Sequence, residues 1–274
     1  MKHILVPTDF SPESVNATNY AAALAHAFGA DLHLINVVRM PVMMDNSVLS
    51  SVLVSQREIL KINKRLIEKE AERLSADYLI TVTCQVEEGY PAKTTIEVAG
   101  ELETDLIVMG MKGKGKSNSF FGSTTTTVIR KANHPVLVVP LKAICNPIRH
   151  ITLASDFYSD LGTGQYNVLQ SILKKFDAKL NVINVQKKPE LMNQDALVGK
   201  MRTSVALTES NPDFHVITEK NVEDGIVKFI HETPTDIIAM VSHQHPFLER
   251  LFGNVHTRSM SYMTEIPLLV IQGK

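Results

Sequence analysis

Cysteine is scarce in this sequence: the 274 residues include only Cys84 and Cys145. Two thiols cannot form a disulfide framework, and they fit a reducing compartment. An excess of one charge is also missing, because 28 Lys and Arg residues balance 29 Asp and Glu residues. The formal net charge of −1 gives no general attraction to nucleic acid or to anionic membranes. We therefore expect neither as a partner.

Long apolar runs are missing as well, since none approaches the roughly 18 residues of a membrane-spanning helix. The first residues, MKHILVPTDF, have neither the apolar core nor the cleavage site of a signal peptide. With 44% hydrophobic and 21% charged residues, the composition is typical of a globular protein. The sequence predicts a soluble, cytoplasmic protein.

An internal repeat is the most informative pattern that is present. Residues 4–10, ILVPTDF, correspond to residues 151–157, ITLASDF. Four further pairs follow in the same order: 31–37 and 179–185, 104–110 and 235–241, 120–123 and 251–254, and 135–139 and 267–271. Five matches in register indicate a duplication. We predict two domains, 1–142 and 147–274. The segment that joins them, near residues 141–150, is short, so we expect the two domains to pack against each other.

Short β-rich runs alternate with helical patterns in each half. Ser11 is predicted to cap the first helix, Pro12 to begin it and Gly29 to end it. The alternation predicts an α/β fold, with a parallel, doubly wound sheet of five strands in each domain. Ligands of such sheets bind beyond the carboxyl ends of the strands. In the first half we predict strands at 4–7, 32–38, 79–86, 106–109 and 136–139, and helices at 12–28, 53–76, 91–102 and 123–132.

A glycine-rich segment at residues 109–124, MGMKGKGKSNSFFGST, separates the fourth strand from the last helix of the first half. Its glycines let the backbone approach a phosphate, and the N-terminus of the following helix adds partial positive charge. Lys112, Lys114 and Lys116 supply cationic side chains. We interpret this segment as an anion site and not as a solvated connection.

The same segment satisfies the phosphate-loop pattern of ATP-hydrolysing proteins, as Gly110-x4-Gly115-Lys116-Ser117. That mechanism needs a helix that begins at the Lys-Ser pair, yet residues 118–122, NSFFG, are a poor first turn. The second copy has neither lysine nor glycine here, since residues 241–248 read VSHQHPFL. We treat the match as accidental and keep an ATP-hydrolysing enzyme as an alternative.

The first half resembles a universal stress protein domain, whose signature after the fourth strand is G-x2-G-x9-G-[ST]. Here Gly110-x2-Gly113-x8-Gly122-Ser123 has one residue fewer in the long gap. Asp9 and Val37, at the ends of the first two strands, and residues 134–139, HPVLVV, extend the resemblance. Because both halves share the ordered blocks, the chain resembles a tandem universal stress protein. The resemblance implies two Rossmann-like domains of the adenine-nucleotide alpha-hydrolase type.

In nucleotide-binding members of that family, ATP occupies the crevice at the carboxyl ends of the strands. Asp9 would then hold the ribose hydroxyls, the backbone of Val37 would meet the adenine, and Met109 would flank the nucleoside. The residues that would wrap the phosphates are Gly110, Gly113, Gly122, Ser123 and Thr124. Mg²⁺ could accompany ATP, and no other metal is predicted. Taken without the resemblance, Asp9 could equally cap the first helix.

The family resemblance also implies an assembly, because single-domain members pair through their last strands. Here residues 136–139 and 268–271 could pair within one chain, which gives an intramolecular pseudo-dimer with covered sheet edges. A homodimer of two such chains is a further expectation.

The second half keeps Asp156 and Val185 at the positions of Asp9 and Val37. It replaces Gly110 and Gly113 by Val241 and Gln244, and Ser123 by Asn254, while Gly253 matches Gly122. A β-branched residue at the first glycine position would crowd a phosphate. We therefore predict a structural second half without nucleotide. We interpret three nearby histidines as exposed loop residues and not as metal ligands: His243, His245 and His256.

The sequence has no nucleophile elbow, no H-E-x-x-H motif and no carboxylate pair with catalytic spacing. It predicts a stress-response or signalling protein that binds ATP in its first domain, with little or slow hydrolysis. Its partner protein is unknown. A nucleotide-free interaction or scaffold protein is the second hypothesis, and the ATP-hydrolysing enzyme with Lys116 and Ser117 is the third.

Overall fold

The computed structural model describes most of both halves of the chain. Several sequence-predicted residues lie outside the described part, namely Gly113, the lysines of the glycine-rich segment, Gln244, Gly253, Asn254 and the three histidines. The described ranges are residues 1–39, 49–111, 122–145, 147–157, 163–188, 194–242 and 265–273, with the side chains of 49–55 and 242 left aside.

The first half alternates strands and helices as the periodicity predicts. Its strands are β1 (His3–Pro7), β2 (Asp31–Val38), β3 (Val82–Glu88), β4 (Leu106–Gly110) and β5 (Val136–Val139). Its helices are α1 (Pro12–Phe28), α2 (Leu49–Tyr78), α3 (Pro91–Glu101) and α4 (Ser123–Lys131).

The boundaries of α1 follow from its terminal residues. The Ser11 hydroxyl accepts a hydrogen bond from the Ser14 amide, and Pro12 occupies the first helical turn. Gly29 ends the helix in the left-handed region, at φ 64°, which costs glycine little. The predicted cap, start and end of this helix are confirmed.

In its described residues, the second half repeats the order of strands and helices up to its fourth strand, and it again ends in a fifth strand. Residues 243–264, between those two strands, lie outside the described part. Its strands are β6 (His150–Ala154), β7 (Lys179–Gln186), β8 (Asp213–Thr218), β9 (Ile237–Ser242) and β10 (Leu268–Gln272). Its helices are α5 (Asn167–Phe176), α6 (Gln194–Ala206) and α7 (Val222–Glu232), with single 3₁₀ turns at Thr163–Tyr166 and Thr208–Ser210.

All ten strands form one sheet, in the order β3-β2-β1-β4-β5-β10-β9-β6-β7-β8. Among the described strands, neighbours run parallel everywhere except between β5 and β10, where the two halves meet antiparallel. Leu137 and Val138 lie opposite Leu269 and Leu268 in this pairing. The strand order reads the same from either end, so the predicted α/β pseudo-dimer is confirmed. The exact bounds 1–142 and 147–274 stay a prediction.

Apolar side chains cover both faces of the sheet. One core includes buried residues of α1, α2, α5 and α6, and the other includes buried residues of α3, α4 and α7. Each core contains residues of both halves, so the two halves share their hydrophobic packing. Covering both faces explains why the strand sequences are almost entirely apolar.

The segment between the halves is held against α1. The Asn16 side-chain amide donates to the carbonyl oxygens of Pro140, at 2.8 Å, and of Ala143, at 3.0 Å. Cys145 is a half-buried free thiol in this segment, and its burial raises its pKa to about 11. Cys84, on β3, is also a free thiol. Both thiols are thus free and partly buried.

No helix within the described ranges is long and apolar enough to cross a membrane.

Candidate functional site

A cavity of about 310 Å³ opens at the carboxyl ends of β1, β2 and β4. This is the edge where doubly wound sheets place their ligands. Seven of the eight sequence-predicted site residues line the cavity, and Gly113 lies outside the described residues. The seven are Asp9, Val37, Met109, Gly110, Gly122, Ser123 and Thr124.

The turn after β1 is shaped by Thr8 and Asp9. Phe10 has φ 61°, which is unusual for a residue with a side chain, and its amide donates to Thr8 Oγ1 at 3.1 Å. Asp9 Oδ1 accepts from the amide of Ser11, at 3.1 Å, and from its hydroxyl, at 2.6 Å. Asp9 therefore orients Ser11, and Ser11 caps α1. The structure thus confirms Ser11 as the cap and decides against the alternative that Asp9 caps the helix directly.

The ionisation of Asp9 follows from these contacts. Partial burial acts to raise its pKa, but the hydrogen bonds from the Ser11 hydroxyl and amide hold the pKa below its ordinary value. Both bonds end on Oδ1, so neither occupies Oδ2. Asp9 thus presents a charged acceptor at the cavity wall at neutral pH.

Hydrogen bonds of buried polar residues hold the turn after β1 in place. Asn36 donates through Nδ2 to the Thr8 carbonyl oxygen at 2.7 Å, and the Thr8 amide donates to the Ile35 carbonyl oxygen at 2.8 Å. The Thr8 and Ser14 hydroxyl oxygens lie 3.1 Å apart. This network fixes the end of β1 to the end of β2, and so fixes Asp9 relative to Val37.

Gly110 lies where β4 passes under the first turn of α1. A Cβ added to Gly110 would lie 2.6 Å from the Glu13 carbonyl oxygen, closer than packing allows. The Thr125 hydroxyl also donates to the Gly110 carbonyl oxygen at 3.3 Å. A side chain at this position would therefore meet the Glu13 backbone before any ligand, which gives this glycine a packing role as well.

The N-terminus of α4 forms another part of the wall. Gly122 caps the helix in an extended conformation, at φ −64° and ψ 156°, without a side-chain hydrogen bond to the first turn. The first amides of a helix have no partner within it and point towards its N-terminal end. Ser123 and Thr124 thus place backbone N–H groups and hydroxyls at the cavity, where the helix dipole favours an anion.

Apolar residues complete the cavity. Val37, Met109 and Pro91 line it, and Met109 belongs to the core that α3 and α4 share. Ionised side chains in the described wall are Asp9 and Glu13, both acidic. The cavity therefore combines an apolar surface with an anionic acceptor and a helix N-terminus.

Sequence reasoning missed several wall residues. The sequence predicts Ser11 only as a helix cap and Pro91 only as the start of a helix, yet both line the cavity. Glu13 and Ser14 could have been found, because the first turn of a helix after β1 faces the same edge as Asp9. The other wall residues missed are Ile35, Thr95 and Thr125.

The second half preserves the turn after its first strand, and its helix α7 packs closely on the end of β7. Phe157 has φ 62°, its amide donates to Ser155 Oγ at 3.2 Å, and Asn184 donates to the Ser155 carbonyl oxygen at 2.9 Å. These contacts reproduce those of Phe10, Thr8 and Asn36. In contrast, a Cβ on Gly225 of α7 would lie 2.5 Å from a Val185 methyl group, so α7 rests directly on the end of β7.

Two kinds of sequence comparison agree on the family. The model of the universal stress protein family matches residues 1–140. A universal stress protein of Methanocaldococcus jannaschii is 34% identical over 140 residues, which are 50% of this chain and 81% of the relative. A universal stress protein of Synechocystis is 33% identical over 141 residues, 51% of this chain and 85% of that relative.

A solved structure extends the likeness to the whole chain. A universal stress protein from Archaeoglobus fulgidus superposes with a TM-score of 0.73, covering 98% of both chains at 17% identity. At that identity the likeness shows the fold, including the arrangement of both halves. With the family model matched across the half that contains the cavity, the chain belongs to the universal stress protein family.

Proposed function

We propose that the first half binds ATP in the cavity, and that the protein is a nucleotide-responsive stress or signalling protein. The observation on which this rests is the convergence of Asp9, Val37 and the N-terminus of α4 on one cavity. An ionised carboxylate suits ribose hydroxyls, an apolar wall suits a base, and free helix amides suit phosphates. Mg²⁺ would accompany ATP as its counter-ion.

The phosphate end of the proposed site depends on α4. Its first turn has no side-chain cap, so its amides are available to phosphate oxygens. The acidic wall residues would repel phosphates, which supports a pose with the phosphates at the α4 end and away from Asp9. Gly113 and the lysines of the glycine-rich segment, which lie outside the described residues, are proposed to complete this end.

The second half is proposed to be structural and free of nucleotide. The close contact of Gly225 with Val185 supports this, because α7 approaches the strand end where the base would lie. Asp156 would then lack an apolar pocket beside it. The second half contributes β10 to the shared sheet, which covers the edge of β5.

Calorimetric titration with ATP tests the proposal, with Asp9→Asn as the diagnostic variant. Asparagine keeps the Oδ1 acceptor for Ser11 but loses the charge, so we expect ATP affinity to fall by about tenfold or more. Asp156→Asn, at the equivalent position of the second half, is the matched control and should leave affinity unchanged. Gly110→Val is unsuitable, because it would displace the Glu13 backbone.

The two alternative functions give different results in the same experiments. An ATP-hydrolysing enzyme would release phosphate above background, and Lys116→Ala would abolish that release. A nucleotide-free scaffold would show neither heat nor a thermal shift at millimolar ATP. Equal loss of affinity in Asp9→Asn and Asp156→Asn would contradict the assignment to one half.

A further inference from the structure

Helix α2 is much longer than its counterpart in the second half. It has 30 residues, about 45 Å at 1.5 Å per residue, whereas α6 has 13. Both helices connect the second and third strands of their halves. The extra length of α2 is therefore not needed to connect strands or to cover the sheet.

Contacts with α1 show where the extra length lies. Thr18 Oγ1 donates to Glu70 Oε1 at 3.1 Å, and Arg73 Nη2 donates to Asn19 Oδ1 at 2.7 Å. Helices that connect successive parallel strands run side by side in one direction. Glu70 of α2 is level with Thr18 of α1, and Pro12 lies six residues before Thr18. The residue of α2 that is level with Pro12 is therefore six residues before Glu70, which is Lys64. Residues 49–63, about 22 Å of helix, therefore extend beyond the start of α1.

An apolar stripe begins on this projecting part of α2 and continues past it to Leu66. Ile59, Ile62 and Leu66 are 37%, 56% and 45% exposed, although aliphatic side chains of this size are usually buried. Their spacing of three and four residues places them on one face of the helix. It is also the spacing of the first and fourth positions of a coiled-coil heptad.

The charges beside the stripe indicate what packs on it. Glu58 and Arg65 each precede a stripe residue by one position, which places both along the same side of the stripe. In an antiparallel pair of identical helices, Ile59 faces Ile62 of the other helix, and Glu58 comes beside Arg65. Two-fold symmetry makes this pairing occur twice. Within the described part of the chain, neither Glu58 nor Arg65 forms an ion pair.

We infer that the outer face of α2 is a self-association surface, on which α2 of a second copy of this chain packs antiparallel. The surface consists of Ile59, Ile62 and Leu66 with Glu58 and Arg65 beside them. In an antiparallel pair its apolar residues face apolar residues and its charges face opposite charges, as a two-fold interface requires. The inference does not depend on nucleotide binding.

A charge exchange in the full-length chain tests the inference by sedimentation equilibrium from micromolar to millimolar concentration. Glu58→Arg and Arg65→Glu each place like charges together twice, so each should raise the dimer dissociation constant by about tenfold or more. The double variant restores opposite charges and should return the constant to within about threefold of the original. Ile62→Asp should abolish the dimer, with circular dichroism confirming that the chain is folded.

Lys64→Glu combined with Glu68→Lys is the matched control. These exposed residues form their own ion pair at 4.0 Å on another side of α2, and exchanging them should leave the dimer unchanged. A chain that stays monomeric at millimolar concentration overturns the inference, as does a dimer that both single variants leave intact. The inference is also overturned if the chain is monomeric and sediments with phosphatidylserine vesicles, and if Arg65→Glu removes this vesicle binding. That result would assign the surface to a membrane.

Discussion

Asp105 and Asp236 fix the beginnings of β1 and β6 in the same way. Asp105 Oδ2 accepts from the amides of Lys2 and His3, and Asp236 Oδ2 accepts from those of Arg149 and His150. Burial acts to raise the pKa of Asp105, but the two amide hydrogen bonds hold it below its ordinary value. The carboxylate is thus stabilised only in the folded chain.

Asp105→Asn should make the free energy of unfolding less dependent on pH in the acidic range. Because the native pKa of Asp105 lies below the value of about 3.9 in an unfolded chain, its contribution is complete above that value. It is lost as the pH falls through the native pKa. Urea unfolding should show the variant less stable than the original chain at pH 7 and closer to it near pH 2. Glu101→Gln, on the exposed end of α3, serves as control.

If Asp105→Asn lowered the free energy of unfolding by the same amount at pH 7 and near pH 2, this interpretation of Asp105 would be contradicted. It would mean that the side chain acts only through its shape and not through its charge.

Gly110 illustrates what sequence reasoning finds and misses at single residues. The strand–glycine–helix pattern locates the cavity edge correctly, because strand ends and helix starts are local features. The contact of Gly110 with the Glu13 carbonyl oxygen joins residues far apart in sequence, and no local pattern reports it. The partition of tasks between Asp9 and Ser11 is likewise a matter of geometry.

Among the elements, α6 depends on a close approach to the turn after β6. A Cβ on Gly199 would lie 1.6 Å from the Phe157 carbonyl oxygen, so any side chain forces backbone to move. We predict that Gly199→Ala lowers the free energy of unfolding by about 3 kcal/mol. Gly100→Ala is the matched control, since that helical glycine has nothing within 4 Å of an added Cβ. It should raise stability by about 0.5 kcal/mol.

Denaturant unfolding of both variants measures the difference. If the free energy of unfolding changed by similar amounts in Gly199→Ala and Gly100→Ala, the prediction would be contradicted. It would mean that α6 can move away from the Phe157 backbone without loss of stability.

Element boundaries were predicted well where capping residues define them, as in α1. The prediction failed at the start of β3, which was placed at residue 79 and begins at Val82. Leu79 is apolar but adopts φ 55° and is 82% exposed, because α2 continues to Tyr78 and the chain must then turn. An apolar residue in a turn looks like part of a strand, and only the tertiary course of the chain distinguishes the two.

At the scale of the whole molecule, the single sheet should make both halves unfold together. Leu269 and Leu137 lie opposite each other in the β5–β10 pairing, and both are fully buried. Leu269→Asp would bury a charge at this junction, so we expect one unfolding transition to separate into two. Hydrogen exchange followed on β4 and β9 against denaturant concentration measures this.

Val216→Asp is the control for that experiment, because Val216 is exposed on β8 at the end of the sheet. It should leave the single transition intact. Two separate transitions in the unaltered chain would contradict the prediction that the shared cores couple the halves.

Joining the two halves in one chain also changes how the protein can evolve. In a dimer of identical chains, every substitution appears in both sites at once. Here the tether keeps β10 at a high effective concentration beside β5, whatever happens to the crevice of the second half. One copy can therefore lose its glycines and accept the contact of Gly225 with Val185, while the other copy remains under separate selection. The two crevices can thus diverge in sequence while the β5–β10 pairing keeps the halves together.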